Sequence, residues 1–344
     1  MLPQSRALKI ALALGFVALA VMPQVAPPYY VELGSSALIA AMLALSLQLL
    51  VGATGIVSLG HAAFYGLAAY VVYFLTPDGA SRSMFLTLPA AMLASGLLAL
   101  LVGALSLRTR GFFLLMVTLA FGQMVFFVFH DTKIGGGTDG AFLAKPVISL
   151  FDWQLQLTRR QRPIATYYVA LALLAAMYLF LVVVLRSLFG RVLEGIRVNE
   201  HRMQAMGFDT YRYKLAAFTV AGMLAGAAGH MWAMHSGFVN PELAGWHKSA
   251  EALLYILLGG LGSLAGPIVG AFSFAALGEI AQQVTERKLL VEGLVILAAV
   301  LLMRNGITGL WRSVPGLAAP RESAATQYDD SGPGASRAGT GSDD

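Results

Sequence analysis

One charged stretch, Phe189 to Lys214 (FGRVLEGIRVNEHRMQAMGFDTYRYK), stands between two long apolar runs, Ile164 to Val184 and Leu215 to Trp232. This placement restricts the fold more than any other feature of the chain. A helix continuing to about Met206 would gather Phe189, Val192, Leu193, Ile196, Met203 and Met206 on one stripe at i, i+3, i+4 spacing. Arg191, Glu194, Arg197, His201 and Arg202 would occupy the rest of the cylinder. Gly207 is placed to end that helix in a left-handed conformation, and Asp209 to cap the next one. The expectation is a short surface helix, a turn, and a return to an apolar span. Asn199 and Glu200 interrupt the stripe, and two readings are open. One is an amphipathic helix lying on a membrane with two polar residues at its margin. The other is a knob inserted into a cleft of a soluble partner, where both residues find hydrogen-bond partners. Periodicity alone ranks the first ahead.

The rest of the chain reads as membrane. Of 344 residues, 58% are hydrophobic and 12% charged, with mean hydropathy +0.72, which is too apolar for a soluble domain of this length. A formal charge of +5 would point a soluble chain toward nucleic acid, but here the basic residues sit in short loops, where they set topology, and no nucleic-acid partner is expected. The absence of cysteine excludes a disulfide framework, a cysteine–zinc site, an iron–sulfur cluster and a thiol nucleophile.

Taken in order, Arg6 and Lys9 precede an apolar run, Ile10 to Met22, closed by Pro23, Pro27 and Pro28. The pattern resembles a signal peptide with Val25-Ala26 near a cleavage point, but residues 1–32 are read as a retained first transmembrane helix and loop. A single transmembrane domain is then read over 33–312. After a span from Leu33 to Val51, the run Gly52 to Phe74 is rich in small residues, which let transmembrane backbones approach closely. Gly55 and Ser58-Leu59-Gly60-His61 would tolerate a helix break, allowed at membrane depth only where the backbone faces protein or a water-filled path. Ser58, Gly60 and His61 are therefore candidates to line a path. His61 reads equally well as an interfacial histidine near a span end. Further spans are Phe85 to Leu107 and Phe112 to Phe129, the latter with Gln123 facing the bundle. GGGTDG, Gly135 to Gly140, has neither Gly-Lys-Ser/Thr nor a preceding strand, so a phosphate loop is rejected in favour of a tight surface turn. Trp153, Trp232 and Trp246 are placed as interfacial anchors. The run Glu251 to Glu279 carries Gly259, Gly260, Gly262, Gly266, Pro267 and Gly270 at its middle, predicting one broken helix or two short ones meeting at membrane depth. A last span, Leu289 to Met303, leads to a tail, 313–344, whose composition predicts cytoplasmic disorder. The fold class is all-α: a polytopic bundle of about 8–10 spans with broken or re-entrant segments.

Arg6 and Lys9, Arg108 and Arg110, and the cluster from Arg186 to Lys214 fall on one side when the spans are counted. The positive-inside rule makes that side cytoplasmic, with both termini on it. Lys145, Arg159, Arg160 and Arg162 fall opposite, in a longer loop where such charges weigh less. Among ionisable groups near a span only His61, Glu251, Glu279 and Glu292 could bind a driving ion, and each stands near a run's end. No channel filter, metal cluster, nucleophile triad or cofactor motif is present. What remains is a transport domain, not an enzyme, energised from elsewhere through a docking surface within 187–214.

Three stretches carry a resemblance: GIVSLGHAAFYGLAAY (Gly55 to Tyr70), GRVLEGIRVNEHRMQAMGFDTYRYKLAAF (Gly190 to Phe218) and GFVNPELAGWHKSAEALLYILLGGLGSLAGPIVGA (Gly237 to Ala271). Together with GGTDG at Gly136 to Gly140 they resemble permeases of branched-chain amino acid ABC importers, the LivM type. The resemblance implies a heterodimer with a second related permease in the cell inner membrane, and two cytoplasmic ATPases that bind ATP and Mg, with no cofactor in this chain. A periplasmic substrate-binding protein would stand on the other side. It also implies that Gly190 to Gly207 is a coupling helix, with Glu194, Arg197, Asn199, Glu200, Arg202 and Gly207 as its coupling residues, and it promotes the docking reading of Asn199 and Glu200. The short EAA signature of many such permeases is replaced here by Glu194-Gly195-Ile196. The expected mechanism is alternating access, with Tyr211 to Phe218 as a lever. The expected path residues are Ser58, Gly60, His61, Gln123, Gly259, Gly260, Gly262 and Pro267, and the breaks at Gly55 to His61 and Gly259 to Gly270 would be counterparts in an inverted repeat. Sister importers of urea or short amides are the alternative, followed by an ion-coupled carrier or channel.

Overall fold

The computed structural model describes residues 6–76, 82–145, 149–150, 153–154, 161–284 and 293–294. The rest of the final apolar run, the tail, and Arg159, Arg160, Glu292, Arg304 and Arg312 lie outside the described residues, as does the side chain of Trp153. The described chain is helical. In order come α1 (Arg6–Val25), α2 (Pro28–Gln48) continued by a π-helical turn (Leu49–Thr54), α3 (His61–Leu75), α4 (Met84–Ser106) and α5 (Phe112–Asp131). A 3₁₀ turn (Ile134–Asp139) and the short strands β1 (Ala141–Phe142), β2 (Ser149–Leu150) and β3 (Trp153–Gln154) follow. Then come α6 (Arg162–Arg186), α7 (Leu188–Val198), α8 (Glu200–Ala205), α9 (Thr210–Ser236), β4 (Phe238–Val239), a 3₁₀ turn (Pro241–Ala244), α10 (Trp246–Gly259) and α11 (Gly266–Val284).

Pro28–Thr54, α4, α5, α6 and α9 are long and apolar enough to cross a membrane. The ends of α4, α5 and α6 fall within a few residues of those read from the sequence, because a polar or charged residue bounds each apolar run. Elsewhere the structure corrects the reading. The second span starts at Pro28 rather than Leu33, since Pro at the first helical position needs no N–H partner and has its φ already set. Pro23 lies inside α1 rather than after it. The run Glu251 to Glu279, expected as one broken helix or two short ones, follows the second expectation: α10 and α11 are joined by a turn in which Gly260 takes φ 109°.

α2 and α9 form the centre. α9 packs along α4, α3 and α2, and α2 packs along α6, α10 and α11. Small residues permit this. A Cβ on Gly222 would meet Ala99 at 2.2 Å, and one on Gly229 would lie 2.0 Å from the Tyr65 carbonyl oxygen.

The two central helices also end alike. Pro28–Thr54 and α9 are each 27 residues long, and each stops at a left-handed glycine, Gly55 (φ 75°) and Gly237 (φ 70°). After each, the chain turns back into the bundle and starts a shorter helix, α3 of 15 residues or α10 of 14. α3 begins deep inside: Gly60 lies against Gly122, midway along α5, and the Ser95 hydroxyl, midway along α4, donates to the Phe64 carbonyl at 2.8 Å. α10 begins beside it, where Ser249 Oγ accepts from Ala62 N–H at 2.8 Å and Ala244 packs on Gly66. The two units run in opposite directions. The counterpart of the return at Gly55–Gly60 is therefore Gly237–Gly245, not Gly259–Gly270, since the latter follows a short helix rather than a long one.

At the end of the bundle remote from α7 and α8, Gly135, Gly136, Gly137 and Gly140 all adopt positive φ, as a tight turn requires. Gly135 is buried beneath Tyr70, whose ring stacks on Phe129 at 3.8 Å, and β1 pairs with β4. The glycine turn is thus docked on α3 and on the second return.

Candidate functional site

Two clusters hold the residues that the sequence singles out. The first is a polar seam around the return at Gly55–Gly60. Thr54 donates to the Leu50 carbonyl at 2.7 Å, and left-handed Gly55 then reverses the chain. Ser58 and His61 are fully buried. The Ser46 hydroxyl donates to the Leu43 carbonyl at 2.6 Å, so its oxygen accepts from His61 Nε2–H at 2.8 Å, which leaves Nδ1 as the bare nitrogen. His61 Nδ1, Ser58 Oγ and Gln123 Nε2 are buried without protein partners among the described residues, so the seam can accept and donate further hydrogen bonds. Gly60 brings the α3 start against α5: a Cβ there would lie 2.0 Å from the Thr118 carbonyl oxygen.

Gly259, Gly260, Gly262 and Pro267 belong to the α10–α11 turn, and Gln48 ties that turn to the first break. The Gln48 amide donates to the Leu261 carbonyl at 2.9 Å and the Ser263 carbonyl at 3.3 Å. Gln48 was not singled out from the sequence, nor were Ser46 and Ser249. Their partners, apart from the nearby Ser46–His61 pair, stand almost two hundred residues away or more, and no local pattern carries such a pairing. The backbone is tightly packed at the turn, where a Cβ on Gly259 would lie 1.8 Å from the Gly266 carbonyl oxygen. Gly259 and Gly266 are points of backbone contact.

The second cluster is the charged face. Val192, Leu193, Ile196 and Met203 turn inward as the stripe predicts, whereas Met206 is exposed. The single helix expected to Met206 is broken instead. Asn199 is extended (φ −158°, ψ 100°) and its Oδ1 accepts from Arg202 N–H at 2.9 Å, so α8 starts afresh behind an asparagine cap. Asn199 therefore leaves the stripe by ending one helix and capping the next. Gly195 gives Met203 room to fold back on α7, which accounts for glycine within Glu194-Gly195-Ile196. Gly207 is left-handed at φ 90°, Phe208 N–H reaches back to the Met203 carbonyl at 3.1 Å, and Asp209 caps α9 through Arg212 N–H at 3.2 Å, all as the spacing predicts.

Glu200 is held from within. Lys214 and the Thr210 hydroxyl both donate to its Oε1, the latter at 3.1 Å. Partial burial pushes its carboxyl up, but the Lys214 hydrogen bond and charge, the Thr210 hydroxyl and the charge of Arg110 together outweigh that and hold it below the ordinary carboxylate value. Arg197 Nη1 donates to the Gly52 carbonyl in the π-helical turn. The outward face that remains carries Glu194 and Arg202 with two exposed apolar side chains, Val198 (80% exposed) and Met206 (65%). Charge beside exposed hydrocarbon at one end of a membrane bundle fits a protein-docking patch and equally a helix lying on a membrane surface.

The family described as "Branched-chain amino acid transport system / permease component" matches residues 29–300. The high-affinity branched-chain amino acid transport system permease proteins LivM of Escherichia coli and Salmonella typhimurium are each 30% identical over 302 residues, covering 82% of this chain and 70% of theirs. A shorter similarity, 37% over 92 residues and 25% of this chain, links it to the autoinducer 2 import system permease protein LsrC of Klebsiella pneumoniae, 27% of which is covered. No solved structure matches the chain.

Proposed function

The chain belongs to the branched-chain amino acid transport system permease family, and on that premise we propose that it is the transmembrane subunit of an ATP-driven importer of branched-chain amino acids. In this reading it lies in the cell inner membrane, with the α7–α8 end and both termini cytoplasmic. It pairs with a second, related permease. Two ABC ATPases, which bind the ATP and Mg, dock on the α7–α8 face, where Glu194 and Arg202 point outward and Arg197, Asn199, Glu200 and Gly207 hold the face in shape from within, and a periplasmic binding protein docks on the opposite end. The extent of the LivM similarity supports the branched-chain substrate over urea, short amides or the LsrC ligand, because the LsrC similarity is confined to a quarter of the chain.

One observation carries the coupling role: the Arg197 guanidinium reaches from α7 into the π-helical turn that precedes the first return. Movement of α7 and α8 as the ATPases close would pull on that turn, and through Gln48 on the α10–α11 turn as well. A second linkage runs through the first turns of α9, where Tyr211 OH donates to the Ala104 carbonyl at 2.9 Å and Phe218 meets Phe64 of α3 edge to face. The seam of Ser58, His61 and Gln123 would then change its neighbours as access alternates. The test is uptake of labelled leucine into vesicles holding the whole assembly, with and without internal ATP, for wild type and Arg197→Ala. ATP-dependent uptake in wild type, reduced about tenfold in the variant with ATPases still attached, is the expected result. Uptake that ignores ATP and follows an imposed proton or sodium gradient overturns the reading.

A further inference from the structure

Between α2, α10 and α11 lies a cavity of about 330 Å³, within the range of small-molecule sites. Its walls are largely apolar, with Leu33, Ala37, Phe274 and Ala275 among them. Onto this surface project Lys248, Glu251 and Glu279. Lys248 Nζ lies 2.7 Å from Glu251 Oε2, and Tyr255 OH donates to the other Glu251 oxygen. Tyr29 OH donates to Glu279 Oε2 at 2.6 Å. Ionised groups beside a membrane bundle are costly, and an ion pair there contributes little stability relative to apolar residues of the same shape. The Lys248 and Glu251 side chains nonetheless remain 39% and 30% exposed, so the pair is presented to open space rather than sealed in a core.

We propose that this cavity is a binding site for one aliphatic α-amino acid in its zwitterionic form; the proposal rests on the importer reading above and names a site within the chain for that cargo. The Lys248 ammonium has three donors and Glu251 occupies one, so it can bind the α-carboxylate as well. Glu279 uses one oxygen for Tyr29 and the other for Gln283, at 3.3 Å, and keeps lone pairs for the α-ammonium. A branched aliphatic side chain would lie on the Leu33–Ala37–Phe274 surface, where a hydroxyl or amide would be desolvated without a partner. The three charges sum to −1. An amine lacking the carboxylate therefore leaves Lys248 without its second anion, and an acid lacking the ammonium meets a net negative wall. Only the zwitterion satisfies both ends. Uncharged urea and short amides can hydrogen-bond at both ends but neutralise neither charge.

The test is equilibrium binding of labelled leucine to the solubilised permease with its partner subunits and no binding protein. Isoamylamine and 4-methylpentanoate, each lacking one charged group of leucine, are the competitors. Lys248→Met and Glu279→Gln remove one charge each, while Ala275→Phe fills the cavity and leaves every charge in place. At least tenfold weaker leucine binding is expected in each variant, with both competitors at least tenfold weaker than leucine on wild type. If the charge variants fail to assemble, Ala275→Phe decides. Leucine binding within twofold of wild type in Ala275→Phe overturns the proposal, and so does a wild-type assembly that binds no leucine. Failure of the importer reading is separately visible, as leucine uptake that does not respond to ATP while binding still changes across the variants.

Discussion

The two 27-residue helices end on the same device, and the origin of the covering side chain distinguishes them. At the first, Arg197 of α7 lies over left-handed Gly55 and donates to the Gly52 carbonyl; at the second, Lys145 lies over left-handed Gly237 and donates to the His235 carbonyl. A cation on the last carbonyls of a helix is favourable both as a hydrogen-bond donor and against the helix dipole. One cation comes from the charged face and the other from the loop that follows the glycine turn. Related geometry is therefore held from opposite ends of the bundle, in the proposed orientation one by the ATPase side and the other by the substrate side. The two returns also differ in support. The first, Gly55–Gly60, is irregular, whereas the second, which also packs on α5, is in addition paired through β4 to β1.

Substitutions where two helices come into direct backbone contact should have the largest effect. Gly229→Val and Gly60→Val each place a Cβ 2.0 Å from a carbonyl oxygen, Tyr65 in one case and Thr118 in the other. Both are expected to lose about 3 kcal/mol or more of stability, read as failure to accumulate or as a collapsed melting transition in detergent. Wild-type melting for either would mean that its helix pair is farther apart than described here.

Exchanging the covering cations tests the comparison itself. Arg197→Ala should uncouple ATP hydrolysis from uptake, whereas Lys145→Ala should leave stimulation by the ATPases intact and weaken the response to the binding protein, each by about tenfold in uptake. Identical phenotypes would show that the two ends are not read separately. A milder effect is expected at the turn glycines, because alanine at positive φ costs about 1–2 kcal/mol. Gly55→Ala meets only Arg197 Cγ at 3.5 Å, while Gly237→Ala must also displace Lys145, whose Cε would lie at 2.6 Å. Melting measurements should therefore rank Gly237→Ala as the more damaging.

The smallest effect concerns acidity. The Glu200 carboxyl is held below its ordinary value of 4.5, so its contribution is fully present above that pH and is lost as pH falls through the lower folded value. For this partly exposed pair the change is of order 1 kcal/mol. Glu200→Gln should lose that contribution at neutral pH and flatten the acid limb of the melting curve below about pH 4.5, so that variant and wild type converge in acid; an unaltered acid limb would remove Glu200 from the set of stabilising carboxylates.

These contrasts also mark what the sequence makes legible. Helices α4, α5 and α6 are visible because lipid selects unbroken apolar runs and charge stops them. Gly207 and Asp209 are visible because a left-handed stop and an oxygen cap are local requirements. Asn199 lies in the same local grammar, and its capping preference was a signal that the stripe at Met203 and Met206 obscured. Gly237 is harder to read. A glycine after an apolar run looks like any loop, and its return into the bundle depends on Lys145 and on β1, far earlier in the chain. Gln48 has no local signature, and the broken pair at Gly259 to Pro267 draws attention to the wrong counterpart because its glycines are more numerous.

The Gln48 amide also limits the number of independent moving parts. Both of its hydrogens are committed to carbonyls of the α10–α11 turn, and the Gln48 side chain itself is fully buried. If that turn swung away on its own, the buried Gln48 amide would be left without partners, at a cost of about 1–3 kcal/mol. The end of α2 and the α10–α11 turn are therefore tied to each other, so a displacement of either one is passed directly to its neighbour.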